Sequence, residues 1–75
     1  MRSIVIEENT LATILKVYPG NLYAIQVLKR SVLRGASHSD GGFETIYWHP
    51  GDKIRLATEA DFDSFGVKWH SDYAN

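Results

Sequence analysis

Three histidines each stand just ahead of an aspartate: His38 with Asp40, His49 with Asp52, and His70 with Asp72. An imidazole beside a carboxylate is a ligand pair for zinc or another divalent cation. A metal site needs more than a pair, and none of these has the two-histidine i, i+4 spacing of a helix or a cysteine partner, since the chain has no cysteine. Solvent-facing turn histidines are therefore the expectation, with no metal and no cofactor assigned. Serine, histidine and aspartate also make up a hydrolytic triad, but there is no Gly-x-Ser-x-Gly elbow and no element to hold an oxyanion hole. Gly41-Gly42 lacks the lysine and the following helix of a phosphate loop. Glu59, Asp61 and Asp63 form an acidic cluster, and a helix N-terminus accounts for the first two without any general acid or base. The chemistry-bearing residues thus predict no enzyme and no small-molecule substrate.

Charge is the next resource. Residues 9–39 contain no acid and carry Lys16, Lys29, Arg30 and Arg34, whereas residues 40–75 carry seven acids against three bases. Clustered cations interleaved with Tyr18 and Tyr23 are what a nucleic-acid surface uses: phosphate contacts plus rings on which bases stack. Four cations are few, and a pI near 6.2 opposes strong non-specific binding. The competing explanation is that they solvate an edge strand and keep it from pairing with other chains.

The elements that position these residues read mostly as strands. Residues 3–7 and 10–18 are β-branched runs, and Pro19-Gly20-Asn21 supplies turn chemistry that leads into a return strand over 22–28, with Tyr23, Ile25 and Val27 on one face. Within 21–34 a helix is the alternative, because Asn21 is a capping residue and Ile25, Leu28 and Val32 recur at helical spacing. The strand is preferred for its density of β-branched and aromatic residues. Residues 35–42, rich in glycine and serine, read as a loop. Residues 43–48 form a strand, and His49-Pro50-Gly51-Asp52 fits a type II turn. Residues 53–57 continue as a strand with Ile54 and Leu56 inward and Lys53 and Arg55 outward. Thr58 caps one short helix over 58–65, Phe62 and Phe65 share its buried face, and Gly66 stops it. A final short strand is expected over 67–69, and residues 71–75 are expected to fray.

These elements belong to a chain of 75 residues and 8.5 kDa, enough for one small domain over residues 1–75 and one small core. A composition of 44% hydrophobic and 23% charged residues argues against disorder. A domain of this size has a thin stability margin, and without disulfides its supports are aromatic packing or self-association. The N-terminal apolar run ends at Glu7-Glu8 before it forms a signal-peptide core, and no stretch approaches the roughly 18 apolar residues of a membrane helix. A cytoplasmic protein, complete as a small reading frame and without a membrane segment, is the expectation.

The order of an aromatic before a turn (Trp48-His49-Pro50-Gly51-Asp52), an alternating strand (Lys53-Ile54-Arg55-Leu56), a short helix over 58–65 and Gly66-Val67 resembles small SH3-like β proteins encoded in bacteriophage and prophage genomes. The similarity spans roughly residues 22 to 69 and departs from that pattern in the 35–42 loop and the N-terminal hairpin. The resemblance implies a small SH3-like barrel or curled antiparallel sheet. It also implies a non-enzymatic accessory or structural part of a phage, found in the virion or host cytoplasm, or a small inhibitor of a host protein.

Taken together, the expected fold is mostly β, at the margin of α+β, with one short helix. The expected function is a protein-binding or assembly module whose partner is another protein or a second copy. Its anchors would be Trp69 and Tyr73, since tryptophan and tyrosine are enriched at binding hot spots, and the acids Glu59, Asp61 and Asp63, which suit a basic partner. Trp48 is assigned to the core. The alternative is a small nucleic-acid-binding barrel that uses Lys16, Lys29, Arg30 and Arg34.

Overall fold

A computed structural model describes residues 2–30, 42–49 and 51–75. The chain forms strands β1 (Ser3–Ile6), β2 (Thr10–Tyr18), β3 (Leu22–Arg30), β4 (Phe43–Tyr47) and β5 (Ile54–Leu56), then helix α1 (Glu59–Phe65) and a 3₁₀ turn at Ser71–Tyr73. The strands make one five-stranded antiparallel sheet in the order β4-β3-β2-β1-β5. This is a small, mostly-β domain with one short helix, and among the described residues β4 and β5 are the edges of the sheet. The 22–30 segment is strand, not helix, through Arg30. Residues 31–41 and Pro50 lie outside the described residues, and with them all but the last residue of the expected 35–42 loop, together with Arg34, His38 and Asp40.

The turns follow from residues able to take positive φ, with one exception. Gly20 and Asn21 have φ of 82° and 62°, so β2 and β3 pair directly from Tyr18–Leu22 onward. Gly51 has φ of 95° and the Asp52 N–H donates to the His49 carbonyl at 3.1 Å, which is the hydrogen bond of the expected turn. The exception is the β1–β2 turn. Glu7 and Glu8 both sit in the left-handed region, at φ of 51° and 58°, and the Asn9 N–H closes on the Ile6 carbonyl at 3.1 Å. Two consecutive glutamates there carry a conformational cost that glycine or asparagine would avoid.

Strand alternation makes the sheet apolar on both faces. On the outer face Val5 and Leu11 meet Ala57 and Phe62, with Leu28, Phe65, Val67, Trp69 and Tyr73 packed around them. Phe62 is fully buried from α1, and that burial is worth about 2–3 kcal/mol. On the inner face Ile4, Ala12 and Ile25 form a second cluster, joined by Ile6, Ile14, Tyr23, Trp48, Ile46 and Ile54. Ile46 and Ile54 come from the two edge strands, β4 and β5, so the sheet curls around this cluster. Trp48 is half-buried there, its ring 5.6 Å from that of Tyr23. Leu56 faces the same way as its partner Ile4 but, lying on the edge, stays 46% exposed.

Two expectations near the C-terminus are corrected. Residues 67–69 form no strand; the Val67 N–H instead donates to Phe62 O at 2.9 Å, and Gly66 at φ of 73° turns the chain off the helix. Residues 71–75 do not fray, because the side chain of Asn75 bonds the backbone of β1 and the Ala57 carbonyl.

Candidate interaction surface

The start of α1 is built by Thr58 and Asp61. The Thr58 hydroxyl accepts from the Asp61 N–H at 3.3 Å while the Asp61 carboxylate accepts from the Thr58 N–H at 2.7 Å, a capping box with aspartate in the third position. The same carboxylate takes two hydrogen bonds from Arg55, each 2.7 Å, and Arg55 also grips Glu8 through Nε at 2.7 Å and Nη2 at 2.9 Å. Hydrogen bonds from Arg55, aided by those from Thr58, hold the Asp61 carboxyl well below the usual carboxylate range, and Arg55 likewise lowers Glu8. The Arg55 guanidinium is correspondingly pushed up by Asp61 and Glu8. Asp61 is therefore committed to joining α1 to β5 and to the β1–β2 turn.

The other expected anchors divide. Glu59, Asp63 and Trp69 line one shallow groove with Ala60, Val67 and Lys68. Tyr73 lines an adjoining groove that shares Lys68 and Trp69, but its ring lies 5.1 Å from Phe62, stacked at 21°, which makes it part of the outer core. Trp69 is likewise half-buried against that core.

Among the described residues, the expected basic residues Lys16, Lys29 and Arg30 do not form one patch. Lys16 lies toward the hairpin tip with its Nζ 5.1 Å from the centre of the Tyr18 ring. Arg30 pairs with Thr10 at the opposite end of the hairpin, about 20 Å away at the rise of a strand, and its guanidinium bonds Glu44 at 2.6 Å. Lys29 is exposed beside it.

His49 and His70 serve turns. Asp52 accepts from the His49 N–H at 2.7 Å, and His70 Nδ1 accepts from the Asp72 N–H at 3.0 Å as the cap of the 3₁₀ turn. Among the described residues no group of three or more His, Cys, Asp or Glu side chains is placed to hold a metal ion, and no helix is long and apolar enough to cross a membrane.

A surface that the sequence reading missed lies on the outer face beyond the reach of α1. The register puts Phe43, Thr45 and Tyr47 of β4 beside Gln26, Ala24 and Leu22 of β3, and Ala24 and Leu22 beside Lys16 and Tyr18 of β2. Leu15 sits at a register shift in β2 and shares an open depression with Ala24, Phe43 and Thr45. Phe43 is 73% exposed, Tyr47 61% and Leu15 52%. Tyr47 stacks on His49 at 6.0 Å, and the Arg30–Glu44 pair belongs to the opposite side of the β4 ribbon. The signal for this surface was present in residues 43–48, where apolar residues fall at both parities (Phe43 and Tyr47, Ile46 and Trp48) while one short helix cannot cover both faces of a sheet.

Compared with protein-family models, with curated proteins and with solved structures, the chain matches none.

Proposed function

We propose that this chain is a non-enzymatic protein-binding or assembly module that engages its partner through the outer face of β2, β3 and β4. The observation that carries the reading is the set of exposed apolar side chains there, Leu15, Phe43 and Tyr47, on hydrogen-bonded strands. Contiguous apolar area of this kind marks interaction surfaces, and aromatic anchors supply most of the affinity where such surfaces are used. The curl of the sheet about the inner cluster supports an SH3-like, barrel-like scaffold, as expected of a small phage-type accessory protein. The groove of Glu59, Asp63 and Trp69 is a secondary contact that suits a basic segment.

The test is affinity capture with the native chain and with a Phe43→Ser/Tyr47→Ser double variant of matched thermal midpoint. A protein bound by the first and weakened about thirtyfold by the second, the scale of one hot spot, supports the surface. A partner held equally by both overturns it.

A nucleic-acid reading draws on Lys16 and Tyr18 lying on the same face as Phe43 and Tyr47. Single-strand binding by stacking on these rings would fall steeply with salt, and a binding curve flat in salt removes it.

A further inference from the structure

The open edge of β4 has a pattern that matches itself. The Val27 N–H donates to Gly42 O at 2.8 Å and the Trp48 N–H to Asn21 O at 2.9 Å, at the two ends of the β3–β4 ladder. Alternation along an antiparallel pair then points the N–H and C=O groups of Glu44 and Ile46 at β3, and those of Phe43, Thr45 and Tyr47 away from it. Among the described residues no strand takes that outer row. Among the described residues several features that protect an edge are missing: β4 holds no lysine and no proline, its register with β3 is unbroken from Phe43 to Tyr47, and its one charge, Glu44, is paired with Arg30. The other edge, β5, is three residues long and has Arg55 at its centre, bonded to Glu8 and Asp61.

We infer that β4 is the seam of a two-fold dimer, in which the β4 strands of two copies pair antiparallel about Thr45. In that register Thr45 faces Thr45 of the other copy, and each Phe43 faces a Tyr47. All three outward residues become hydrogen-bonded pairs, so every outward N–H and C=O finds a partner. On the outer face two Phe–Tyr cross-strand pairs form, the kind that stabilises antiparallel sheets, and the two apolar depressions at Leu15 and Ala24 join across the seam. On the other face each Glu44 stands opposite Ile46, so the acids, already paired with Arg30, do not oppose each other. Register shifts of one residue either way lose the Phe–Tyr pairing.

The area sets the strength. An aromatic side chain buries about 150–250 Å², so two of them, 73% and 61% exposed, contribute a few hundred Å² per copy. That is below the roughly 800 Å² per partner of a standard stable interface, so the dimer dissociates on dilution through the micromolar range. The inference rests on reading this face as an interaction surface and names a second copy as its occupant.

The experiment is sedimentation equilibrium across a concentration series with the native chain, Thr45→Lys, Thr45→Glu and a mixture of the two variants. Thr45 is exposed and its backbone bonds outward, so both variants keep the fold, which circular dichroism checks. Each variant alone places like charges across the two-fold axis and weakens the dimer by about tenfold or more, and the mixture places opposite charges there and restores it. A native chain that stays monomeric at every concentration overturns the inference, and so does a dimer that neither variant weakens. A strictly monomeric chain that still loses a heterologous partner on Phe43→Ser/Tyr47→Ser leaves the proposed function standing while this dimer falls.

Discussion

The side-chain amide of Asn75 completes the pairing of Ser3. Its Oδ1 accepts from the Arg2 N–H at 2.6 Å and the Ser3 N–H at 3.2 Å, and its Nδ2 donates to the Ser3 carbonyl at 2.9 Å and the Ala57 carbonyl at 2.8 Å. Ser3 answers with its hydroxyl, which donates to the Tyr73 carbonyl at 2.7 Å. A residue 72 positions away in sequence thus staples β1 to the end of β5, and the Ser3 hydroxyl ties the backbone of Tyr73, whose ring stacks on Phe62, to β1.

Asn75→Ala removes every bond made by the Asn75 amide and leaves backbone groups at a half-buried strand end to find water. Several partly buried bonds at about 1 kcal/mol net each give a loss of about 2 kcal/mol, since some are exposed and replaced by solvent. In a domain of this size that lowers the thermal midpoint on the order of 10 °C. Calorimetry on the two proteins checks it, and accelerated amide exchange at Ser3 distinguishes local release from general loosening.

Phe62→Ala tests the outer core. The side chain is fully buried among Val5, Leu11 and Ala57 and stacked on Tyr73. Truncating a buried phenylalanine costs about 3–5 kcal/mol, which approaches the whole stability of a small domain. The expected result is a chain largely unfolded at 25 °C by near-ultraviolet circular dichroism and denaturant titration.

Much of this architecture was legible from local signals. The hairpin at Pro19-Gly20-Asn21, the capped helix from Thr58 to Gly66 and the alternation of β3 each carry their chemistry in adjacent residues, and each is found where the residues put it. What was not legible depends on contacts distant in sequence. Nothing near Asn75 announces that its amide will meet Ser3, so the C-terminal residues read as frayed. The exposure of Phe43 and Tyr47 on the expected 43–48 strand is decided by how little of the sheet α1 can cover. Asp61 read as a helix N-terminal acid facing a basic partner, because Arg55, which bonds it, belongs to another element.

The Arg55–Asp61 pair makes stability depend on acid. The folded Asp61 carboxyl titrates well below its ordinary value of 3.8, so the unfolded state binds its proton first as pH falls. Its contribution is complete above that ordinary value and is lost as pH drops below it toward the folded value. Asp61→Asn abolishes this part of the acid dependence and weakens the cap, at a cost near neutrality of about 1 kcal/mol, because Arg55 is 43% exposed and its ion pairs are screened by solvent. Urea titrations from neutral pH into the acid range check both parts. An Asn variant with the native acid slope would assign that slope to other carboxylates.

Glu7 and Glu8 test whether the β1–β2 turn stores strain. Both hold positive φ, at 51° and 58°, where a β-carbon is disfavoured by about 1 kcal/mol or more. Glu7 is exposed and its N–H donates to Lys53 O at 2.7 Å, a bond that any residue other than proline retains. Glu7→Gly therefore trades conformational relief against the extra freedom glycine gains in the unfolded chain, for a net gain of a few tenths to about 1 kcal/mol. Glu7→Asn avoids part of that entropy loss and stabilises by a similar amount. Glu8→Gly relieves the same strain but removes the carboxylate that Arg55 holds through two bonds, so its gain is smaller or absent. The ordering Glu7→Asn or Glu7→Gly above native, with Glu8→Gly below both, is read from denaturant midpoints at unchanged slope. A Glu7 variant less stable than the native chain would mean that Glu7 itself makes a favourable interaction that outweighs its backbone strain.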